Sequence, residues 1–285
     1  MKASLILATI GRDEDVGHAI RSLAAQSDRR FELIIVDQNP DDRLLRFIEE
    51  GKAAGLDLTH LRLDRPSLSG ARNLGLAHAK GEIVAFPDDD CWYEPDTVKS
   101  MLAAFTADST CDGIIGHWVE QAAGQNREPK QEVLSGDAWR RFRGGNASSI
   151  TLFIKRALLS RLGGFDERFG VGRWYGAAEE TDFILRALAS GAKLASNPDV
   201  RVHHRFSTQP ASKLLEDCRN TRKRARGTGG LYAKHRLDAW VIVRGLFAPV
   251  ILPLSKADFR NTLRGLFVSL GRTEGLITWR MKETS

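Results

Sequence analysis

Apolar residues in the first third of the chain fall in short unbroken runs separated by amphipathic stretches. That is the pattern of parallel strands buried on both faces and joined by helices. Residues 4–9 and 31–36 form two such runs, and between them Val16, Ile20, Leu23 and Ala24 recur at helical spacing. Residues 41–54 read as a second helix with Leu44, Leu45 and Ile48 on one side, and residues 56–63 as a third strand. After a loop over 64–70, a helix begins near Ser69, carries Ala71, Leu74, Leu76 and Ala77, and stops at Lys80-Gly81. Residues 83–86 are a fourth strand that runs straight into Asp88, Asp89 and Asp90. Ligands on sheets of this kind gather beyond the carboxyl ends of the strands. Thr9 to Arg12, Asp37 and the aspartate triplet all fall at that edge.

Beyond Trp92 the pattern loosens. Residues 94–107 read as a helix, with Pro95 in its first turn and Val98, Met101, Leu102 and Phe105 at core spacing. Residues 114–119 and 149–154 read as strands and 156–162 as a short helix. Residues 121–131 read as a mobile polar loop, and Gly144, Gly145 and Asn146 as a turn. The glycine-bearing stretch 163–177 has the character of a substrate lid. A helix then opens at Glu179-Glu180-Thr181-Asp182 and ends at Gly191. Asp182 has Arg186 four residues on and reads as one half of an ordinary surface pair. Glu179 and Glu180 stand at the loop–helix junction, where a carboxylate can point toward a ligand. In the last strand, ending at His203-His204, alternation puts Val200, Val202 and His204 on one inward face.

Three adjacent carboxylates at a strand end repel one another and resist burial, so a divalent cation stabilises them. Mg²⁺ and Mn²⁺ favour one or two carboxylates together with substrate phosphates. A solvated acidic turn is the other reading of a bare Asp-Asp-Asp. His204, arriving beside the acidic edge, is a candidate further ligand.

Composition adds bounds. The 285 residues are 42% hydrophobic and 27% charged, ordinary values for one large α/β domain with an appendage. Cys91, Cys111 and Cys218 show no metal-ligand spacing and imply a reducing compartment without disulfides. The short apolar run at the N-terminus reads as a first strand, not a signal peptide. Net charge is +6, with Arg219, Arg222, Lys223, Arg224, Arg226, Lys234 and Arg236 crowded into a window that holds no acidic residue. The apolar stretch 239–254 follows, with one arginine and two prolines, shorter than the ~20 residues a membrane-spanning helix needs. It reads as a membrane-interface helix pair beside an anionic surface, against the alternative of helices packed on the catalytic domain. Leu263, Leu266, Phe267 and Leu270 continue a helical tail. No recognition motif accompanies the basic charge, so nucleic acid is not an expected partner.

In order, Thr9-Ile-Gly-Arg12, Ser22-Leu23 with Gln26, Ile34-Ile-Val-Asp37, Ser69-Gly-Ala-Arg72-Asn73, Phe86-Pro-Asp-Asp-Asp90, Gly163-Gly-Phe-Asp166, Glu179-Glu-Thr-Asp182 and a closing histidine resemble the family 2 glycosyltransferases over about residues 3–206. The resemblance implies the glycosyltransferase A fold: a Rossmann-like, mostly parallel sheet flanked by helices, here with a C-terminal helical extension. It implies sugar transfer with inversion from a nucleotide diphosphate sugar, UDP-linked, to a glycan or lipid-linked glycan hydroxyl. Thr9, Arg12 and Asp37 would contact base and ribose, and Gly11, Arg72, Asn73 and Asp89 would line the nucleotide pocket. Asp88 and Asp90 stand where the family has its Asp-x-Asp pair. Asp90 would bind Mn²⁺ or Mg²⁺, Asp88 would reach the ribose or a metal-bound water, and His204 would add a ligand. Glu180 stands in the place of the catalytic base, where the family usually has aspartate, with Glu179 and Asp182 as alternatives.

The expected division is a nucleotide-sugar-dependent domain over 1–210 and a basic, amphipathic extension over 211–285. The expected setting is cytoplasmic, peripheral on the inner face of the membrane. A nucleotidyltransferase making nucleotide sugars would want a glycine- and lysine-rich loop after the first strand, where this chain has Gly11-Arg-Asp-Glu-Asp15. A catalytically inactive membrane-docking protein of the same fold is the other rival.

Overall fold

The computed structural model describes residues 1–120, 130–143, 147–204 and 214–283, apart from the side chains of 280, 282 and 283. The alternation expected at the N-terminus is present: β1 (Ala3–Thr9), α1 (Glu14–Ala24), β2 (Phe31–Asp37), α2 (Leu45–Ala53), β3 (Leu58–Arg62), α3 (Leu68–His78) and β4 (Ile83–Ala85). Every residue of β1 and β2 is buried, as strands covered on both faces require. Leu5 and Leu7 pack with Ile20, Phe47 and Met101 on one side of the sheet. Ile6 and Ile34 pack with Ala71, Phe183 and Ile184 on the other. Each such aliphatic side chain contributes roughly 1.5–3 kcal/mol on burial.

The second half adds β5 (Cys91–Tyr93), α4 (Thr97–Ala107), β6 (Gly113–Trp118), β7 (Glu132–Val133), α5 (Gly136–Arg140), β8 (Leu152–Lys155), α6 (Arg156–Leu162), α7 (Glu179–Ala189) and β9 (Leu194–His204). The sheet order is β3-β2-β1-β4-β8-β6-β9-β5, with β7 on β9. β1 pairs in parallel with β2 and β4, while β8 joins β4 and β6 antiparallel. Three helices close the chain: α8 (Leu214–Lys234), α9 (Ala239–Leu254) and α10 (Phe259–Glu283).

Several boundaries differ from the sequence expectations. The second helix starts at Leu45 rather than residue 41, because Asp41 ties back Arg43 in a local turn. The fourth helix starts at Thr97, and Pro95 lies ahead of it with its carbonyl accepting the Ser27 N–H. Ser149 to Thr151 form a 3₁₀ turn, so that strand begins only at Leu152. α9 is one helix through Pro249 and Pro253, not a pair. The loop expected over 121–131 and the turn at 144–146 lie largely outside the described residues.

The stretch expected to be a lid is pinned. Ser69 Oγ donates to the carbonyl of Phe169 (2.8 Å), and Trp279 of α10 stacks on Phe169 and meets Tyr175 edge-on, each at 5.1 Å between centroids. The tail helices press together through glycines: a Cβ at Gly229 would run into the Arg272 carbonyl, and one at Gly275 into that of Arg226. The basic window is partly turned inward, since Arg222 and Arg226 share Glu274 of α10. Cys91, Cys111 and Cys218 are all buried free thiols. No described helix is long and apolar enough to cross a membrane.

Candidate active site

The carboxyl ends of β1, β2 and β4 build the site from chain geometry. Asp88 forms a parallel bridge with Ala8, which brings the aspartate triplet against the end of β1. Thr9 Oγ1 donates to Asp89 Oδ2 at 2.7 Å. Gly11 turns the chain with φ +73°, its N–H held at 2.6 Å by Asn39 Oδ1. That turn seats Arg12 over the triplet, 3.3 Å from Asp89 and 2.6 Å from Asp90. Arg12 thus supplies positive charge to Asp89 and Asp90 from within the chain.

β5 was not readable in the sequence, yet it completes the site. It pairs antiparallel with β9 in a register that sets Cys91 opposite His204 and Trp92 opposite His203. His204 Nε2 therefore lies 3.0 Å from Asp90 Oδ1. His203 keeps this strand end in place, stacked on Trp92 and bonded to Glu120 (2.6 Å) and Glu94 (2.9 Å). Among the described residues, ligand atoms of Asp90, Cys91 and His204 come within 4.8 Å of one another. Burial pushes the Cys91 thiol far up, so it stays protonated and is a poor ligand. His204 Nδ1 is buried without a hydrogen-bond partner. An oxygen-rich set with one imidazole fits Mn²⁺ or Mg²⁺.

The three carboxyls sit in different environments. Burial pushes Asp88 up, although 33% of its side chain is open to solvent. Burial raises Asp89 to about 6 against the Thr9 hydrogen bond and the Arg12 charge. At Asp90 burial acts in the same direction but is outweighed by His204 and Arg12, which hold it below the ordinary carboxylate value. The Asp90 hydrogen bond in turn raises His204.

The second acidic cluster is joined to the first by Arg72. Arg72 is 1% exposed, and its guanidinium lies 3.3 Å from Asp88 Oδ1 and 3.1 Å from Glu179 Oε1 and donates to Ser149 Oγ at 2.6 Å. Burial opposes the charge on Arg72, but Asp88, Glu179 and Glu180 hold it firmly protonated. Glu179 is thus spoken for by Arg72. Glu180 makes no such pair among the described residues, and burial followed by the charge of Glu179 pushes its carboxyl up to about 7. That is the range in which a carboxylate serves as a general base at neutral pH. Ala178, just ahead of it, is held at φ +83°.

Asp182 is not the surface residue that its spacing suggests. Its side chain is fully buried and meets Arg186 (2.8 Å), Lys234 (2.6 Å) and His235 (2.9 Å). Burial would raise it, but the His235 hydrogen bond and the two cations hold it low. Asn73, expected in the nucleotide pocket, has partners within the chain. Its amide exchanges hydrogen bonds with the backbone of Phe165 and so fixes that segment. Asp37 is buried under His60 (3.0 Å), Arg62 (3.3 Å) and Asn39 (2.8 Å). Sequence reading missed Asn39, His60, Arg62 and Ser149, which carry no motif signal; they enter only through the strand register and the turn after β2.

The family described as glycosyl transferase family 2 matches over residues 4–161. The poly(ribitol-phosphate) beta-N-acetylglucosaminyltransferase TarS of Staphylococcus aureus (strain Mu50) is 28% identical over 145 residues, 47% of this chain and 25% of TarS. The chain thus spans a quarter of that relative. A glucosyl-dolichyl phosphate glucuronosyltransferase of Haloferax volcanii is 23% identical over 220 residues, 72% of this chain and 70% of that one. The mannosyltransferase PcManGT from Pyrobaculum calidifontis, solved with GDP-Man and Mn²⁺, superposes with a TM-score of 0.63 at 19% identity, covering 98% of this chain and 73% of its own. TarS 1–349 with UDP-GlcNAc gives 0.59 at 18% identity, covering 99% and 92%. These likenesses establish the glycosyltransferase A fold, and the match that runs from β1 into α6 makes this chain a member of glycosyl transferase family 2.

Proposed function

We propose that the chain transfers a sugar, with inversion, from a nucleotide diphosphate sugar, UDP-linked, to a hydroxyl of a lipid-linked or polysaccharide acceptor. The observation that carries this reading is the single guanidinium of Arg72 between Asp88 and Glu179, which holds the leaving-group end and the proton-accepting end of one site together. The UDP-GlcNAc seen in TarS and the dolichyl phosphate in the name of the Haloferax relative support the donor and acceptor classes.

Asp90 and His204 would hold Mn²⁺ or Mg²⁺, with Asp88 beside them toward the ribose. When bound, the ion stabilises negative charge on the departing diphosphate. Glu180 accepts the proton of the acceptor hydroxyl as its oxygen bonds to the anomeric carbon, and the bond to the diphosphate breaks with its electron pair. Glu179 and Arg72 fix the start of α7 so that Glu180 faces the reacting carbon. In this reading residues 1–210 are the catalytic domain. Residues 211–285 dock it peripherally on the cytoplasmic face of a membrane, with Trp240 and Phe247 of α9 exposed.

Two outcomes check the proposal. Since Glu180 must be ionised to act, kcat rises with pH through about 7 and is flat above, and it falls as the carboxyl protonates below. A pH–rate profile with saturating donor reads this directly. Asp90→Asn weakens Mn²⁺-dependent UDP binding by about 10-fold or more in titration calorimetry, on the scale of losing one charged ligand. Unchanged binding removes Asp90 from the metal's ligands.

A further inference from the structure

The three C-terminal helices line a groove of about 480 Å³ that contains no residue of the acidic clusters. Phe142, Val241, Pro249 and Leu252 make its walls apolar. Its charged members are Arg244 of α9 and Arg272 of α10. Among the described residues each guanidinium has one backbone acceptor, Arg244 on Arg141 and Arg272 on Gly245. Neither meets a carboxylate among the described residues. Arg272 Nε is in addition buried without a hydrogen-bond partner. Three other tail arginines are neutralised, Arg222 and Arg226 by Glu274 and Arg264 by Asp217. Two cations left without counter-charge beside apolar walls specify a ligand with an anionic head and an apolar body.

The surroundings say where that ligand comes from. On α9, Trp240 is 70% and Phe247 57% exposed, with Ile251 and Leu254 following, and Phe259 opens α10 at 75%. Such an apolar face rimmed by arginines suits a bilayer interface. A second copy of the chain would bring the same apolar face and the same two arginines, leaving both cations unpaired in a drier place. A phosphate group satisfies them, since a guanidinium offers paired donors to phosphate oxygens.

We propose that this groove binds the phosphate headgroup of an anionic membrane lipid, with α9 lying along the interface. The proposal deepens the membrane-docking part of the reading above and is independent of the donor chemistry.

Vesicle flotation of the full chain tests it. Phosphatidylcholine vesicles carrying phosphatidylglycerol should float the protein, and phosphatidylcholine alone should not. Arg244→Gln with Arg272→Gln should lower the bound fraction by roughly tenfold or more, with Mn²⁺–UDP binding unchanged as the control for folding. Dodecyl phosphate should displace the wild-type protein from vesicles while inorganic phosphate at the same concentration does not. This arm needs no variant. Equal flotation on both vesicles, undiminished flotation of a folded double variant, or displacement by inorganic phosphate alone overturns the lipid assignment. So does a dimer in sedimentation that Phe247→Glu dissociates, in the absence of any flotation. Loss of nucleotide binding with flotation intact counts against the glycosyltransferase chemistry and leaves this site standing.

Discussion

Glu180→Gln is expected to lower turnover by roughly 10²–10⁴-fold while leaving UDP and Mn²⁺ affinity nearly unchanged, the usual span for loss of a general base. The amide keeps the size and the burial of the side chain but cannot take the acceptor's proton. The neighbouring carboxylates behave differently. Glu179→Gln removes a partner of Arg72, and its effect falls on folding and donor binding together. Asp182→Asn loosens the contact with Lys234 and His235 and lowers the melting temperature of the protein more than its kcat. Steady-state kinetics beside nucleotide titration separate the three. If Glu180→Gln loses nucleotide binding, or retains full turnover, the base has been placed on the wrong residue.

Arg72→Met has the second large effect. A methionine fills much of the space but leaves Asp88 and Glu179 facing each other with their shared cation gone. Breaking a buried pair by removing one partner costs about 3–5 kcal/mol, because the remaining charge stays buried without compensation. Here two carboxylates lose the same partner, so thermal unfolding should shift strongly downward and transfer should be abolished. Adding Glu179→Gln to Arg72→Met should recover part of the stability but none of the turnover. A double-mutant cycle read by urea unfolding measures this coupling. Simple additivity of the two changes would show that Arg72 does not couple the clusters.

The sequence shows the first half of the fold plainly because its strands are covered on both sides. The runs that become β1, β2 and β4 contain no polar interruption to confuse the pattern, apart from buried Ser4 and Glu32, which bond each other at 2.6 Å. The positions of the aspartate triplet and His204 at strand ends and of Glu180 in a first helical turn are legible for a related reason: each lies at the boundary of a periodic element, where a ligand can be met. β5 was hidden because three residues are too few for periodicity, and its pairing depends on β9 far along the chain. Asp182 was misjudged for the same kind of reason. Its i+4 partner is visible in sequence, while His235 is 53 residues away and arrives only when α8 docks. The Arg72 bridge is not legible, since the register of α3 against β4 and α7 decides which carboxylates it meets. Charge counted along the basic window takes no account of Glu274, which the α8–α10 contact brings to Arg222 and Arg226.

Release of nucleoside diphosphate from a panel of UDP- and GDP-sugars by the purified chain, with Mn²⁺ and after chelation, tests the central claim most directly. The account predicts release from at least one UDP-sugar that requires Mn²⁺ or Mg²⁺ and disappears in Glu180→Gln. No release from any donor, together with no shift in melting temperature on adding UDP and Mn²⁺, would contradict it.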